Sequence, residues 1–137
     1  MPPATAVTLI RAPELATVEY AYAATVPAGA RLIFLAGSCP IDAEGRTVAV
    51  GDVAEQTRQC IRNLQTALNA AGASLEDVIS TRILVATSEQ GDLGAAWAVV
   101  RDTFGDHDVP STLLGVTVLG YDDQLVEIEA VAAVQDA

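Results

Sequence analysis

Gln124-Leu125-Val126-Glu127-Ile128-Glu129-Ala130-Val131-Ala132-Ala133-Val134 is the stretch that decides how this chain folds. It reads as a strand, with Val126, Ile128, Ala130 and Ala132 on one face and Leu125, Glu127, Glu129 and Val131 on the other. Apart from two carboxylates both faces are apolar, so both need cover. The preceding stretch 111–119 (STLLGVTVL) is equally apolar and is joined to it by the turn-like Gly120-Tyr121-Asp122-Asp123. Upstream, 77–86 (DVISTRILVA) is β-branched and reads as another strand.

Two helices flank that strand. The first is predicted from Asp52 to Gly72: Asp52 and Glu55 have capping-box spacing, and Val53, Cys60/Ile61, Leu64, Ala67/Leu68 and Ala71 form an apolar stripe. Gly72 closes it in the manner of a C-cap. The second starts at Ser88, carries Leu93, Ala96/Trp97, Val100 and Phe104 on one side, and stops at Gly105. Further upstream, 7–11 and 19–26 read as strands, followed by the turn 27–30, the apolar run Leu32 to Leu35 and turn chemistry at 42–45. The order βββ-α-β-α-ββ, without linker, repeat or low-complexity segment, predicts one α+β domain over 1–137. Both helices are expected on one face of a mixed sheet. The helix-free face then needs a partner, and a second copy of the chain supplies one.

Composition narrows the function. Of 137 residues 51% are hydrophobic and 18% charged, which is rich for a small monomer and points to a subunit interface. Net charge is −11, with seven arginines and no lysine, so nucleic-acid binding is disfavoured and no lysine Schiff base can form. No phosphate-binding loop, dinucleotide fingerprint or His-Glu-x-x-His motif occurs, and one histidine with two separated cysteines makes no metal site. Nothing implies a cofactor. No run approaches a membrane span and the N-terminal segment lacks the pattern of a secretory signal, so the cytoplasm, with reduced Cys39 and Cys60, is expected. His107, in Asp106-His107-Asp108, reads as a surface residue. Gly115 within a strand marks a bulge or a close approach.

Four stretches resemble the RidA/YjgF family: Leu35 to Pro40, Asp52 to Gln59, Asn63 through Ala73, and Val126 to Ala132, whose Glu-Ile-Glu-Ala-Val-Ala is the most specific. The resemblance spans nearly the whole chain. It implies a chorismate-mutase-like α+β fold, a homotrimer with a central barrel, and an active site in each intersubunit cleft. The implied activity is hydrolysis of small imines and enamines, and some relatives are known as ribonucleases, a role the acidic charge here counts against. Carried over residue by residue, Glu127 takes the water-handling position, while Glu129 reads as structural. Gly37 matches a glycine that lets backbone approach the ligand, with Ser38 beside it. Tyr22, or Tyr20 two residues away, matches a cleft tyrosine, and Ser111 and Thr112 match a pair at the site.

The departures matter as much. The family's carboxylate-binding arginine is replaced by Pro110, a helix-borne asparagine by Trp97, and a small polar residue by Ala36. The substrate is therefore expected not to be a usual 2-imino acid; the alternative is a trimeric binding or pathway-accessory protein that has lost deamination. On the strand 78–86, Ile79, Thr81, Ile83 and Val85 are expected to face the helices. Ser80, Arg82, Leu84 and Ala86 then face the trimer interior. There Arg82 is expected to pair with Glu127 or Glu129 across the interface, or to take over anion binding.

Overall fold

The central layer is a four-stranded mixed sheet, seen in a computed structural model that describes residues 5–136. Its strands are β3 (Arg31–Phe34), β4 (Val78–Ala86), β5 (Ser111–Val116) and β6 (Val126–Val134), in the order β3-β6-β4-β5. The β4–β5 pair is parallel and the other two pairs are antiparallel. The last two strands are therefore not neighbours: β4 lies between them, and 117–125 crosses over it. β5 ends at Val116, leaving the apolar Val118 exposed beyond it. The first two strands also stand apart from the sheet. β1 (Thr8–Ile10) and β2 (Ala23–Thr25) pair only with each other, and residues 19–22 lie outside them.

Helices α1 (Val53–Ala70) and α2 (Gln90–Phe104) pack on one face, α1 over β6 and α2 over β4 and β5. Asp52 caps α1 by accepting the Glu55 N–H at 3.0 Å. The return half of the capping box is missing, because the Glu55 carboxylate pairs with Arg58 instead. The buried stripe of α1 is Gln56, Thr57, Cys60, Ile61, Leu64 and Leu68, whereas Ala67 is exposed. Gly72 takes the left-handed φ of +80° that follows many helix ends. α2 begins two residues later than Ser88 predicts; the Thr87 hydroxyl accepts from Glu89 N–H and donates to Asp92.

The helix-facing layer comprises Ile33, Val78, Thr81, Ile83, Val85, Val126, Ile128, Ala130 and Ala132, all buried. One expectation shifts by a residue. A bulge between Val78 and Ser80 puts Val78 on the helix side and leaves Ile79 half-buried. Among the described residues no element packs on the opposite face. Leu32 and Phe34 there remain 49% and 76% exposed, beside Leu84, Glu127, Glu129 and Val131. No helix among the described residues is long and apolar enough to cross a membrane.

Candidate functional site

Glu127 projects from β6 onto the open face, opposite Leu84 of β4. The segment after β3 meets β6 through a two-way bridge: Ser38 N–H donates to Ile128 C=O at 2.7 Å, and Ile128 N–H donates back at 3.0 Å. This antiparallel register sets Cys39 beside Glu127 and Gly37 diagonal to it. Gly37 is required by proximity: a Cβ there would lie 2.2 Å from Glu127 Oε2 and 2.8 Å from its carboxyl carbon. Oε1 accepts from Gln124 Nε2 at 3.2 Å and from the Cys39 thiol at 3.4 Å. No other donor among the described residues reaches the carboxylate.

The thiol is perturbed by its surroundings. Burial, then the hydrogen bond and charge of Glu127, push Cys39 up to about 11, and Gln124 opposes this only in part. Cys39 is thus S–H at neutral pH and a weak nucleophile. Cys60 is fully buried, and burial raises its thiol as well; its Sγ faces the Val126 carbonyl at 3.6 Å.

A second row crosses the open face one pair further along the strands. Thr112 of β5 opposes Arg82, and Arg82 opposes Glu129. The guanidinium reaches Glu129 at 3.5 Å, both groups being about half-exposed. The ion pair expected across an interface therefore forms inside one chain, because cross-strand register already aligns the two side chains. It borders a recess of about 190 Å³ lined by Phe34, Ser80, Arg82, Glu129 and Val131.

Several residues anticipated at the site do not meet Glu127 within one chain. Ser38 is buried, its hydroxyl donating to Cys60 C=O at 2.5 Å and its backbone groups engaged in the bridge, so no polar group of it is left for a ligand. Ser111 points to the helix side, its hydroxyl 2.8 Å from that of Thr81 and donating to Val109 C=O. Of the pair, only Thr112 shares the open face. Trp97 lies on α2, across the sheet from Glu127, packed edge-on against Tyr20 at 6.2 Å. Tyr22 donates to Ala16 C=O at 2.6 Å and lines a 320 Å³ pocket under residues 11–22, beside Arg11 and Asp108. Tyr20 borders the same pocket, so neither tyrosine joins Glu127 within one chain. Pro110 precedes β5 and contributes only its carbonyl, which accepts Thr81 N–H at 3.0 Å. His107 is half-buried rather than free at the surface: Nε2 lies 2.8 Å from Val78 C=O, and since a carbonyl only accepts, that nitrogen carries the proton. Gly115 meets the Thr87 carbonyl, 3.1 Å from where a Cβ would stand, which is the close approach anticipated for it.

Two glutamines escaped sequence reasoning. Gln56, buried on α1, accepts Leu125 N–H at 2.8 Å and donates to Asp123 C=O at 3.0 Å, tying the entry of β6 to the helix. Gln124 is buried against Glu127 itself. The one signal for Gln56 was a polar residue in the apolar stripe; Gln124 gave none.

The fold is thus an α+β sheet with one bare face, on which a glutamate is held against glycine. The endoribonuclease L-PSP family matches residues 10–134, and the chain belongs to this family, which is also the YjgF/RidA/RutC family. A RutC family protein of Pyrococcus horikoshii is 35% identical, covering 81% of this chain and 85% of its own. The 3-aminoacrylate deaminase RutC of Acinetobacter baylyi is 32% identical over 75% of this chain and 79% of its own. Among solved structures, the Rid-family protein YyfB of Yersinia pestis, described as of unknown function, superposes with a TM-score of 0.88 at 26% identity, covering 95% of this chain and all of the other.

Proposed function

We propose that this chain hydrolyses a small imine or enamine, using water held by Glu127 in a cleft completed by neighbouring copies of a homotrimer. The observation that carries the reading is the Glu127 carboxylate: one oxygen is held by two donors and the other stands against Gly37, on the face that lacks cover. In the reaction, water oxygen bonds to the imine carbon while Glu127 takes a water proton and passes it to nitrogen, giving a carbinolamine. Glu127 then carries the hydroxyl proton to nitrogen, the C–N bond breaks with its electron pair leaving on ammonia, and the hydroxyl becomes a carbonyl. Imine and water thus yield carbonyl and ammonia with no oxidant or cofactor. Leu32 and Phe34, once covered by a second copy, would help exclude bulk water from the cleft.

The substrate is a small imine without a carboxylate. Pro110 offers no donor where the family resemblance implies a carboxylate-binding arginine, and Arg82 already faces Glu129 at 3.5 Å. A bidentate arginine–carboxylate pair contributes roughly 2–3 kcal/mol, so its loss weakens an imino acid by roughly 30- to 150-fold. The name 3-aminoacrylate deaminase describes a carboxylate-bearing enamine, and that substrate belongs to the relative rather than to this chain. The missing clamp also favours a second reading, a trimer that binds a ligand without turning it over. Ammonia release from imines with and without a carboxylate, freshly generated from the parent amines and amino acids, separates the two. Faster release from the uncharged imines supports hydrolysis; no acceleration of either leaves binding alone.

A further inference from the structure

Gln124 is 4% exposed and each end of its amide is engaged. Its Oε1 accepts Tyr121 N–H at 3.0 Å, while Nε2 donates to Val126 C=O at 3.0 Å and to Glu127 Oε1 at 3.2 Å. A backbone donor at one end and a backbone acceptor at the other admit only one orientation of the amide. Gln124 therefore presents an N–H, never its oxygen, to Glu127. Gln56 secures this arrangement from α1 by holding Asp123 and Leu125 on either side of it. From the other flank Cys39 brings its thiol to the same carboxylate oxygen at 3.4 Å, with Gly37 C=O as a competing acceptor at 3.5 Å. Burial and Glu127 keep this thiol protonated at neutral pH, so it can serve as a donor.

We infer that Gln124 and Cys39 are positioning residues for Glu127: they hold Oε1 from two sides as the acceptor of an ionised carboxylate, so that Oε2 alone, above Gly37, faces the reacting water. The inference rests on the reading of Glu127 as the water-handling group, and it also has consequences that do not depend on turnover. Donors fixed on one oxygen prevent the carboxylate from rotating. The glutamine is oriented by backbone groups, so this restraint is in place before any substrate binds.

The test has two arms. The first reads the Cys39 thiol in the folded protein by alkylation with iodoacetamide at pH 8.5, assigned by peptide mass, Cys60 being buried. Glu127→Gln removes the charge that adds to burial in raising the thiol, so alkylation accelerates by roughly 3- to 10-fold. The S–H stretching band of Cys39, isolated by Raman difference against Cys39→Ser, moves to higher frequency in the same variant. This band reads the bond even where packing blocks the reagent. An unmoved band overturns the role of Cys39.

The second arm follows hydrolysis of a carboxylate-free imine. Gln124→Leu lowers kcat by about 10-fold or more, with KM within about twofold of wild type. Gln124→Glu sets a second acid against Glu127; the two then share a proton, and the acidic limb of the pH–rate profile moves to higher pH. A merely structural glutamine would lower Tm without moving that limb. An unchanged limb and kcat in both variants overturn the role of Gln124. If the wild type hydrolyses no imine, the proposed function fails, while the thiol measurements still decide whether Glu127 is held as described.

Discussion

Gly37→Ala is the substitution whose outcome the geometry constrains most tightly. The new methyl would lie 2.2 Å from Glu127 Oε2, 2.8 Å from the carboxyl carbon and 3.2 Å from Cγ. Gly37 does not have a left-handed backbone, so the whole effect is steric. Contact at 2.2 Å is far inside van der Waals range and cannot be absorbed by a shift of a few tenths of an ångström. The carboxylate has to swing away, abandoning Gln124 and Cys39, because the Ser38–Ile128 bridge holds the two backbones together. Glu127 is half-exposed and regains water, so the net stability loss is about 1–2 kcal/mol. In a chain of 137 residues that lowers Tm by roughly 3–8 °C. Imine hydrolysis falls much further, on the order of 100-fold, since a displacement of about 1 Å at the reacting groups already costs that much. Gly115→Ala is the control: it meets one backbone oxygen at 3.1 Å and needs only a small adjustment. Scanning calorimetry and ammonia release measured on both variants check the pair. A Gly37→Ala protein with wild-type Tm and wild-type rate would refute the close approach of Glu127 to this backbone.

The open sheet face gives a second expectation. Phe34→Asp, at a residue 76% exposed in the single chain, should convert a trimer to monomers in light scattering at micromolar concentration, and a wild-type monomer would contradict the assembly itself. Pro110→Arg should raise turnover of 2-imino acids relative to uncharged imines if only the clamp is missing; an unchanged ratio means the cleft has been reshaped elsewhere. The Arg11 guanidinium hydrogen-bonded to Asp108 holds that carboxyl below its ordinary value, so the pair stabilises the fold above the unfolded carboxylate range, near pH 4, and is lost as pH falls through the depressed value. Arg11→Met should therefore cost up to about 1 kcal/mol at pH 7, the pair being partly exposed, and its Tm deficit should shrink as pH falls through the depressed value.

Helix periodicity and strand alternation made both helices, the main strands and the bare sheet face legible before any coordinates. Leu64, Leu68, Val100 and Phe104 bury where a 3.6-residue period puts them, and Ile128 and Ala130 bury on alternate positions. Strand order was less accessible: 111–116 and 126–134 look like a hairpin, and only tertiary packing inserts β4 between them. The closeness of Glu127 and Gly37, which the resemblance picks out, is present in the fold, but the groups that hold the carboxylate were not readable. Gln124 works through a loop that folds back three residues, and Cys39 through a bridge 88 residues away in sequence, neither of which a local pattern encodes. Ser38 and Ser111 turn from the open face for a common reason, while Trp97 lies on α2 behind the sheet. Neighbouring positions in extended chain point to opposite faces, and a one-residue irregularity decides which.

The most direct test of the account is Glu127→Gln, which keeps the shape of the side chain and its contact with Gly37 while removing the base. Ammonia release from a freshly generated carboxylate-free imine should be faster than the uncatalysed reaction with wild-type protein. In the variant it should fall by about 100- to 10,000-fold, toward that uncatalysed rate, with the oligomeric mass unchanged. Wild-type turnover in Glu127→Gln would contradict the assignment of Glu127 as the group that activates water.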